Sequence, residues 1–163
     1  MSEAVLIVDA DLGDPRHAAA LVEMLDHYMR DPMEGGQPPS ERVKRELVPG
    51  LRAHPACYVY IAMRGEKAVG FAICFLGFST FNARPLINIH DIFVESSLRG
   101  GGIGKLMLDR IEAKARSMNG CALTLEVRED NARARGLYRK FGFQRAEVGH
   151  ERIPMEFWRK ALP

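Results

Sequence analysis

A glycine-rich turn at Arg99–Lys105 (RGGGIGK) limits the folds open to this chain more than any other segment. Before it, Leu86–Val94 (LINIHDIFV) is rich in β-branched and aromatic residues, although its alternation is imperfect, and it predicts a buried strand. After it, apolar residues at helical spacing predict a helix over Ile103–Met118. Leu123–Val127 predicts another strand. A strand, a turn, a helix and a strand in this order predict a right-handed crossover between parallel strands, and therefore a mixed α/β fold.

Other elements follow from apolar periodicity and from turn residues. Asp31–Ser40 contains three prolines and two glycines, so we expect a loop there. A second helix is predicted to begin at Ser40 and Glu41, to run through Leu47, and to be stopped by Pro49 and Gly50. The remaining predicted elements are strands at Val5–Val8, Tyr58–Met63, Val69–Phe78, Phe143–Val148 and Ile153–Trp158, and helices from Asp14-Pro15 to Arg30 and over Asn131–Phe141.

Length and composition predict a single domain over residues 1–163, because 47% hydrophobic and 27% charged residues are typical of a globular protein. Three cysteines without a C-x-x-C pair favour a reducing compartment over a disulfide framework. The N-terminal segment lacks the pattern of a signal peptide. No uncharged run approaches the ~20 apolar residues of a membrane helix. We therefore expect a cytoplasmic protein with no membrane partner.

The charge is unevenly distributed, although the net charge is only +2. Residues 99–145 contain eleven basic and five acidic residues, whereas residues 1–98 contain nine basic and thirteen acidic ones. A basic segment in a nearly neutral protein suggests a local anionic ligand rather than a nucleic-acid partner. On charge alone, solvated helix faces explain the segment better.

Glycines in the turn permit a positive φ and let a ligand approach the backbone closely. The helix that follows offers unpaired N–H groups and the positive end of its dipole, which bind an anion such as a pyrophosphate. A plain turn explains one or two glycines more easily than four in five residues. A Walker loop fails because Arg99 and Leu106 stand at its glycine and hydroxyl positions. A Rossmann loop fails because its last glycine falls on Lys105 or Met107.

Two sequence blocks fit a different pattern. Arg99-Gly100-Gly101-Gly102-Ile103-Gly104 fits [RQ]-x-x-G-x-[GA], and LTLEVREDNARARGLYRKFGF follows at Leu123–Phe143. Together they resemble the GNAT superfamily of acetyl-CoA-dependent N-acetyltransferases. The resemblance implies a central mixed sheet of about six to seven strands flanked by about four helices. It also implies an enzyme that moves the acetyl group of acetyl-CoA directly to the primary amine of a small molecule or a peptide, and it leaves a homodimer open.

The resemblance also implies a set of cofactor contacts. Backbone amides of Arg99–Lys105 would bind the pyrophosphate of CoA. The end of the preceding strand would pair with the pantetheine arm, with a backbone N–H near Val94 polarising the thioester carbonyl. The residues of that strand end are Ile92, Phe93 and Val94. Candidate charge partners for the CoA phosphates are Lys105, Arg135 and Lys140.

For two residues of the second block, the role that the resemblance implies differs from the role that the residue pattern alone predicts. The resemblance assigns Asn131 to a hydrogen bond with the pantetheine and Tyr138 to protonation of the leaving thiolate. From the residue pattern alone, Asn131 is the N-cap of its helix and Tyr138 is a core residue. No cysteine stands in a nucleophile setting, which favours direct transfer. An acyl-CoA-binding sensor module without turnover is the alternative from another functional class.

Two residues compete for the role of general base. Glu126 lies twelve residues before Tyr138, a separation that resembles the bacterial ribosomal-protein-alanine acetyltransferases. His90 opens HDIFV, which resembles the E-D-x-x-V strand of the diamine acetyltransferases with histidine in place of glutamate. From the pattern alone, Glu126 is an outward-facing strand residue and His90 is a buried, hydrogen-bonded histidine. The histidines show no metal-binding spacing, so we expect no metal.

Overall fold

The first five strands of the chain form one mixed sheet, in the order β1-β2-β3-β4-β5. The computed structural model describes residues 3–148 and 153–162, and these fall into a first unit that ends at Arg128 and a second that begins at Glu129. Neighbouring strands pair antiparallel from β1 to β4, whereas β4 and β5 pair in parallel. The strands are β1 (Val5–Asp9), β2 (Cys57–Arg64), β3 (Lys67–Ser79), β4 (Arg84–Val94) and β5 (Ala122–Leu125).

Three helices belong to the first unit, and each begins at a residue that suits a helix start. They are α1 (Pro15–Arg30), α2 (Glu41–Ala53) and α3 (Ile103–Ser117). The Asp14 side chain accepts the N–H of Arg16 at the start of α1, and Ser40 accepts the N–H of Val43 at the start of α2. The second unit contains α4 (Ala132–Phe141), β6 (Glu147–Val148) and β7 (Ile153–Pro154).

The core of the first unit lies against both faces of the sheet. On one face, Leu21, Met24 and Leu25 of α1 pack with Phe71 and Phe93 of the sheet. Successive side chains of a strand point to opposite faces of the sheet, so each strand also contributes apolar residues to the other face. On that face α3 buries Met107, Leu108 and Ile111. This packing fixes β4 between two hydrophobic layers, and β4 leads directly to the glycine-rich turn.

The predicted strand count was too high, because the main sheet has five strands rather than six or seven. The last two strands, predicted at Phe143–Val148 and Ile153–Trp158, are only two residues long each and pair with one another. Pro154 ends β7 because proline cannot donate to a strand ladder. Residues 149–152 lie outside the described residues.

Helix α2 runs past the residues that were predicted to stop it. It contains Pro49 and continues to Ala53, where the N–H of His54 donates to the carbonyl of Leu51. The apolar side of α2, including Val43 and Leu47, packs against the hydrophobic core of the sheet. This tertiary packing offsets the hydrogen bond that proline removes. The loop that precedes α2 also contains a short 3₁₀ turn at Pro32–Glu34.

Candidate active site

Strands β4 and β5 separate before β4 ends. Their pairing stops at Ile89 and Leu125, because β5 ends at Leu125 and not at Val127 as the sequence predicts. From there to Val94, β4 pairs only with β3 among the strands that the structure describes. The separation leaves one edge of β4 open over its last residues.

Hydrogen bonding on the β3 side determines which backbone groups point to the open edge. The N–H of Glu95 donates to the carbonyl of Val69 at 3.0 Å, so Glu95 continues the β3 ladder. The backbone N–H and C=O groups of successive residues point alternately to the two sides of an antiparallel strand. Those of Phe93 therefore also point to β3. The backbone groups of Ile92 and Val94 point the other way. The open edge thus presents the groups that a bound extended chain pairs with.

The Arg99 side chain connects this edge to the glycine-rich turn. Its Nε donates to the carbonyl oxygen of Val94 at 2.9 Å, and its guanidinium lies 5.3 Å from the ring centre of Phe93. A terminal nitrogen also donates to Asp31 at 2.5 Å. The Val94 carbonyl thus accepts a hydrogen bond from Arg99, whereas the N–H groups of Ile92 and Val94 face the open edge and can donate to a ligand carbonyl. The contacts of the Arg99 side chain were not predicted from the sequence, where only its backbone amide has an implied role.

The glycine turn has the backbone that its sequence predicts. Gly100 and Gly102 have φ values of +84° and +85°, in the left-handed region that favours glycine. A Cβ at either position would meet nothing within 4 Å, so open space lies in front of the backbone. Gly102 is the N-cap of α3, whose first amides have no acceptor within the helix. The start of α3 therefore presents backbone donors next to open space, a combination that suits an anion.

Other groups of the turn and its neighbours are engaged in internal contacts. The amides of Arg99 and Gly101 point to the carbonyls of Ser96 and Leu98, each at 3.4 Å. The ammonium of Lys105 pairs with Asp109 at 2.7 Å. Because these groups already have partners, we expect the backbone amides at the start of α3 to be the main donors for an anion. These amides lie within the Arg99–Lys105 range that the sequence predicts.

The two candidate bases are both exposed. Glu126 follows the end of β5 instead of lying within the strand. His90 is exposed on β4, with its ring 5.5 Å from the ring of Phe75, so the prediction of a buried histidine is wrong. A bulge explains this position: Cys74 pairs with Ile89 and the preceding β3 residue pairs with Asp91, which leaves His90 as the extra residue.

Asp91 belongs to a group of acidic and phenolic side chains that sequence reasoning missed. In addition to burial, the negative charges of the Asp91 and Glu34 carboxyl groups raise the pKa of the Tyr28 phenol, which lies close to both. Burial raises the pKa of Asp91 above its usual range, and nearby Glu126 adds to the effect. Burial likewise raises the pKa of Tyr28 and that of Glu34. The imperfect alternation of LINIHDIFV was the signal of the bulge that places Asp91 here.

In the second unit, α4 holds the two predicted cofactor residues. Asn131 is the N-cap of α4, and its side-chain carbonyl accepts the N–H of Ala134 at 3.1 Å, as the sequence predicts. Tyr138 is 8% exposed, with its ring 5.7 Å from that of Phe143. The pattern-based prediction that Tyr138 is buried is therefore confirmed. Arg135, a predicted phosphate partner, donates to the Glu129 carbonyl at 2.5 Å, whereas the side chain of Lys140 is exposed.

Among residues 3–148 and 153–162, no group of three or more histidine, cysteine, aspartate or glutamate side chains is arranged to hold a metal ion. No helix within the same residues has the length and apolar character needed to span a membrane.

Comparison with known proteins places these features in a family. The model of the "Acetyltransferase (GNAT) family" matches residues 21–143. An N-alpha-acetyltransferase, RimI of Mycobacterium tuberculosis, is 36% identical over 83 residues, which are 50% of this chain and 51% of that protein. A thialysine N-epsilon-acetyltransferase of Bos taurus is 32% identical over 81 residues, which are 50% of this chain and 47% of that protein. The chain thus spans about half the length of these relatives.

The fold is shared with solved structures at lower sequence identity. An integron cassette protein from the mobile metagenome of V. cholerae superposes with a TM-score of 0.77 at 24% identity, covering 99% of this chain and 93% of that one. This similarity shows the fold that the sequence analysis predicts, with five strands in the main sheet instead of six or seven.

Proposed function

Because the chain belongs to the GNAT acetyltransferase family, we propose that it is an acetyl-CoA-dependent N-acetyltransferase that acts on a primary amine. The supporting observation is the open edge of β4 beside the glycine turn, connected to it by the hydrogen bond from Arg99 to Val94. An acyl-CoA has an extended amide-containing arm and a pyrophosphate. The open edge suits the arm, and the start of α3 suits the pyrophosphate.

In this proposal the backbone supplies most of the cofactor contacts. Amides at the start of α3, from Gly102 to Lys105, bind the pyrophosphate, and the edge formed by Ile92 and Val94 pairs with the pantetheine arm. Acetyl-CoA contributes an acyl group already activated as a thioester. The Val94 N–H stabilises negative charge that develops on the thioester oxygen, a contribution of roughly 10²–10³-fold for one such donor. Fixing both reactants in place contributes further.

The proposal gives α4 two roles. Tyr138 protonates the leaving thiolate, since a phenol with a usual pKa of ~10 is a neutral acid at pH 7. Its packing against Phe143 supports a fixed ring position. Asn131 uses its side-chain carbonyl as the cap of α4, so the proposal assigns the pantetheine to its side-chain NH₂. The family match across residues 21–143 supports one catalytic domain that includes α4.

The acceptor is a primary amine of a small molecule or a peptide. The relatives are named for transfer to an α-amine in one case and to an ε-amine in the other, which supports an alkyl amine as the acceptor class. For the proton that the amine must lose, the sequence offers Glu126 and His90, both at the surface. The three unpaired cysteines agree with a reducing, cytoplasmic location, which we propose.

A thiol-release screen tests the proposal. The protein is incubated with acetyl-CoA and, separately, with diamines, amino acids, aminoglycosides and peptide N-termini. We expect at least one amine to accelerate release of CoA well above the rate without acceptor. Binding of CoA without amine-dependent release by any of them would favour the sensor module and contradict the enzyme.

A further inference from the structure

The bulge in β4 decides which face of the sheet Asp91 occupies. Ile87 and Ile89 face the α3 side, and simple alternation would place Asp91 there as well. Because His90 is the extra residue, Asp91 instead pairs across from Ile73, whose side chain belongs to the α1-side core. Bulges commonly redirect a side chain in this way beside active sites. Asp91 therefore lies on the face where α1 ends, in the part of β4 that β5 no longer covers.

The surroundings of Asp91 combine partial burial with specific neighbours. The Tyr28 ring packs edge-on to Phe71 and at a tilt to Phe93, and its phenol lies close enough to Asp91 to lower the pKa of that carboxyl. Arg128, which follows β5, donates to the carbonyl of Met33 in the turn that also contains Glu34. The ionisable groups that face Asp91 are Tyr28, Glu34, Cys74, His90 and Glu126.

Asp91 is also close to the proposed reaction centre. Asp91 and Val94 are three positions apart, which is about 10 Å along a strand. An amine that attacks a carbonyl held by the Val94 N–H therefore comes within reach of the Asp91 carboxylate through one bridging water. Glu126 and His90 have exposed side chains, whereas Asp91 is partly buried.

We propose that Asp91 accepts the proton of the acceptor ammonium and that Tyr28 positions its carboxylate; this inference rests on the proposed function. The ammonium gives one proton to Asp91, and its freed electron pair forms the C–N bond while the C–S bond breaks. The sulfur takes a proton from Tyr138, and the nitrogen gives its surplus proton back to the tyrosinate through water. Asp91 then releases its proton to solvent, so one proton is released in each turnover.

An acceptor for this proton is needed because an alkyl ammonium, with a pKa of ~10.4, is neutral in only about one molecule in 2,500 at pH 7. A base works best when its pKa lies near the operating pH. Burial moves the pKa of Asp91 in that direction. The Asp91 carboxylate thus lies near the proposed reaction centre and has a pKa that burial raises toward the operating pH.

The test compares Asp91→Asn with Glu126→Gln and His90→Gln on two kinds of acceptor. One is the best alkyl amine of the screen, and the other is an aromatic amine, which is already neutral at pH 7. With the alkyl amine, we expect Asp91→Asn to lower kcat/KM by roughly 10²–10⁴-fold. With the aromatic amine the loss should be much smaller. We expect Glu126→Gln and His90→Gln, which alter the two competing candidate bases, to lower the rate with the alkyl amine less than Asp91→Asn does.

A second variant tests the positioning role of Tyr28. The Tyr28 phenol lowers the pKa of Asp91, so Tyr28→Phe should move the acidic limb of the kcat/KM profile to higher pH. Asp91→Glu should restore part of the rate. The stabilisation of every variant by CoA, measured as a rise in Tm, should match that of the wild type.

Three results would overturn the inference. Asp91→Asn could retain the full rate while Glu126→Gln or His90→Gln loses the acidic limb, which would make that residue the base. It could lose equal activity with both kinds of amine, which would indicate a structural role. A wild-type protein that binds CoA and acetylates no amine would refute the proposed function itself, and the inference with it.

Discussion

Replacing Gly102 with alanine should separate the strain in the glycine turn from its role in binding. Gly102 has φ +85°, where an L-residue costs about 1–2 kcal/mol. An added Cβ meets no atom within 4 Å, so the cost is torsional and the fold should be retained. For a domain of this size, ~1 kcal/mol changes Tm by roughly 2–4 °C. Gly102→Ala should therefore melt about 2–8 °C below the wild type.

The same methyl group occupies the space beside the first amides of α3. A ligand at ~100 times its Kd stabilises a protein by ~2.7 kcal/mol, which is roughly a 5–11 °C rise in Tm. We expect CoA to produce this rise in the wild type and to produce little or none in Gly102→Ala. Differential scanning fluorimetry with and without CoA measures both effects.

Gly36 provides the matched control. It also has a positive φ, +70°, and open space around a built Cβ, but it lies in the loop before α2. Gly36→Ala should lose similar stability and should retain the full CoA effect. The reasoning about the turn is refuted if Gly102→Ala keeps that effect, or if ATP or NAD stabilises the wild type more than CoA does.

Three further predictions concern single side chains. Tyr138→Phe keeps the packing and removes the proton, so kcat should fall while the Kd for CoA in equilibrium titration stays constant; an unchanged kcat would leave Tyr138 as a core residue. Pro49→Ala should raise the urea midpoint, because proline inside a helix costs up to about 3 kcal/mol relative to alanine; a lower midpoint would contradict this. Burial raises the pKa of Asp91 in the folded state. The stability that protonated Asp91 contributes is therefore fully present below the unfolded pKa of ~3.9 and is lost as pH rises through the folded pKa. In Asp91→Asn, the free energy of unfolding measured with urea should fall less as pH rises than it does in the wild type. An equal fall in both proteins would show that another group causes it.

Local sequence signals predicted the elements that local physics determines. Asp14 and Pro15 indicated the start of α1, and the glycines of the turn indicated the positive φ values before α3. Asn131 was predicted as a helix cap and is one. In each case a short stretch of backbone requires that residue type, so the pattern is readable without the rest of the molecule.

The features that sequence reasoning missed depend on distant contacts. Helix α2 continues past Pro49 because its apolar face packs on the sheet, and a local rule does not include that packing. The bulge at His90 depends on the register between β4 and β3. The hydrogen bond between Arg99 and Asp31 joins residues 68 positions apart. The sequence therefore predicted the local backbone of the glycine turn better than the long-range contacts around the end of β4.

The central claim is most directly tested by following a labelled acetyl group. The protein is mixed with isotope-labelled acetyl-CoA and the most active alkyl amine of the screen, and the products are measured by mass spectrometry and by free thiol. We predict equal amounts of labelled N-acetyl amine and free CoA, both dependent on amine and on protein. Free CoA with labelled acetate in place of acetylated amine, or binding of CoA with no turnover, would contradict the claim.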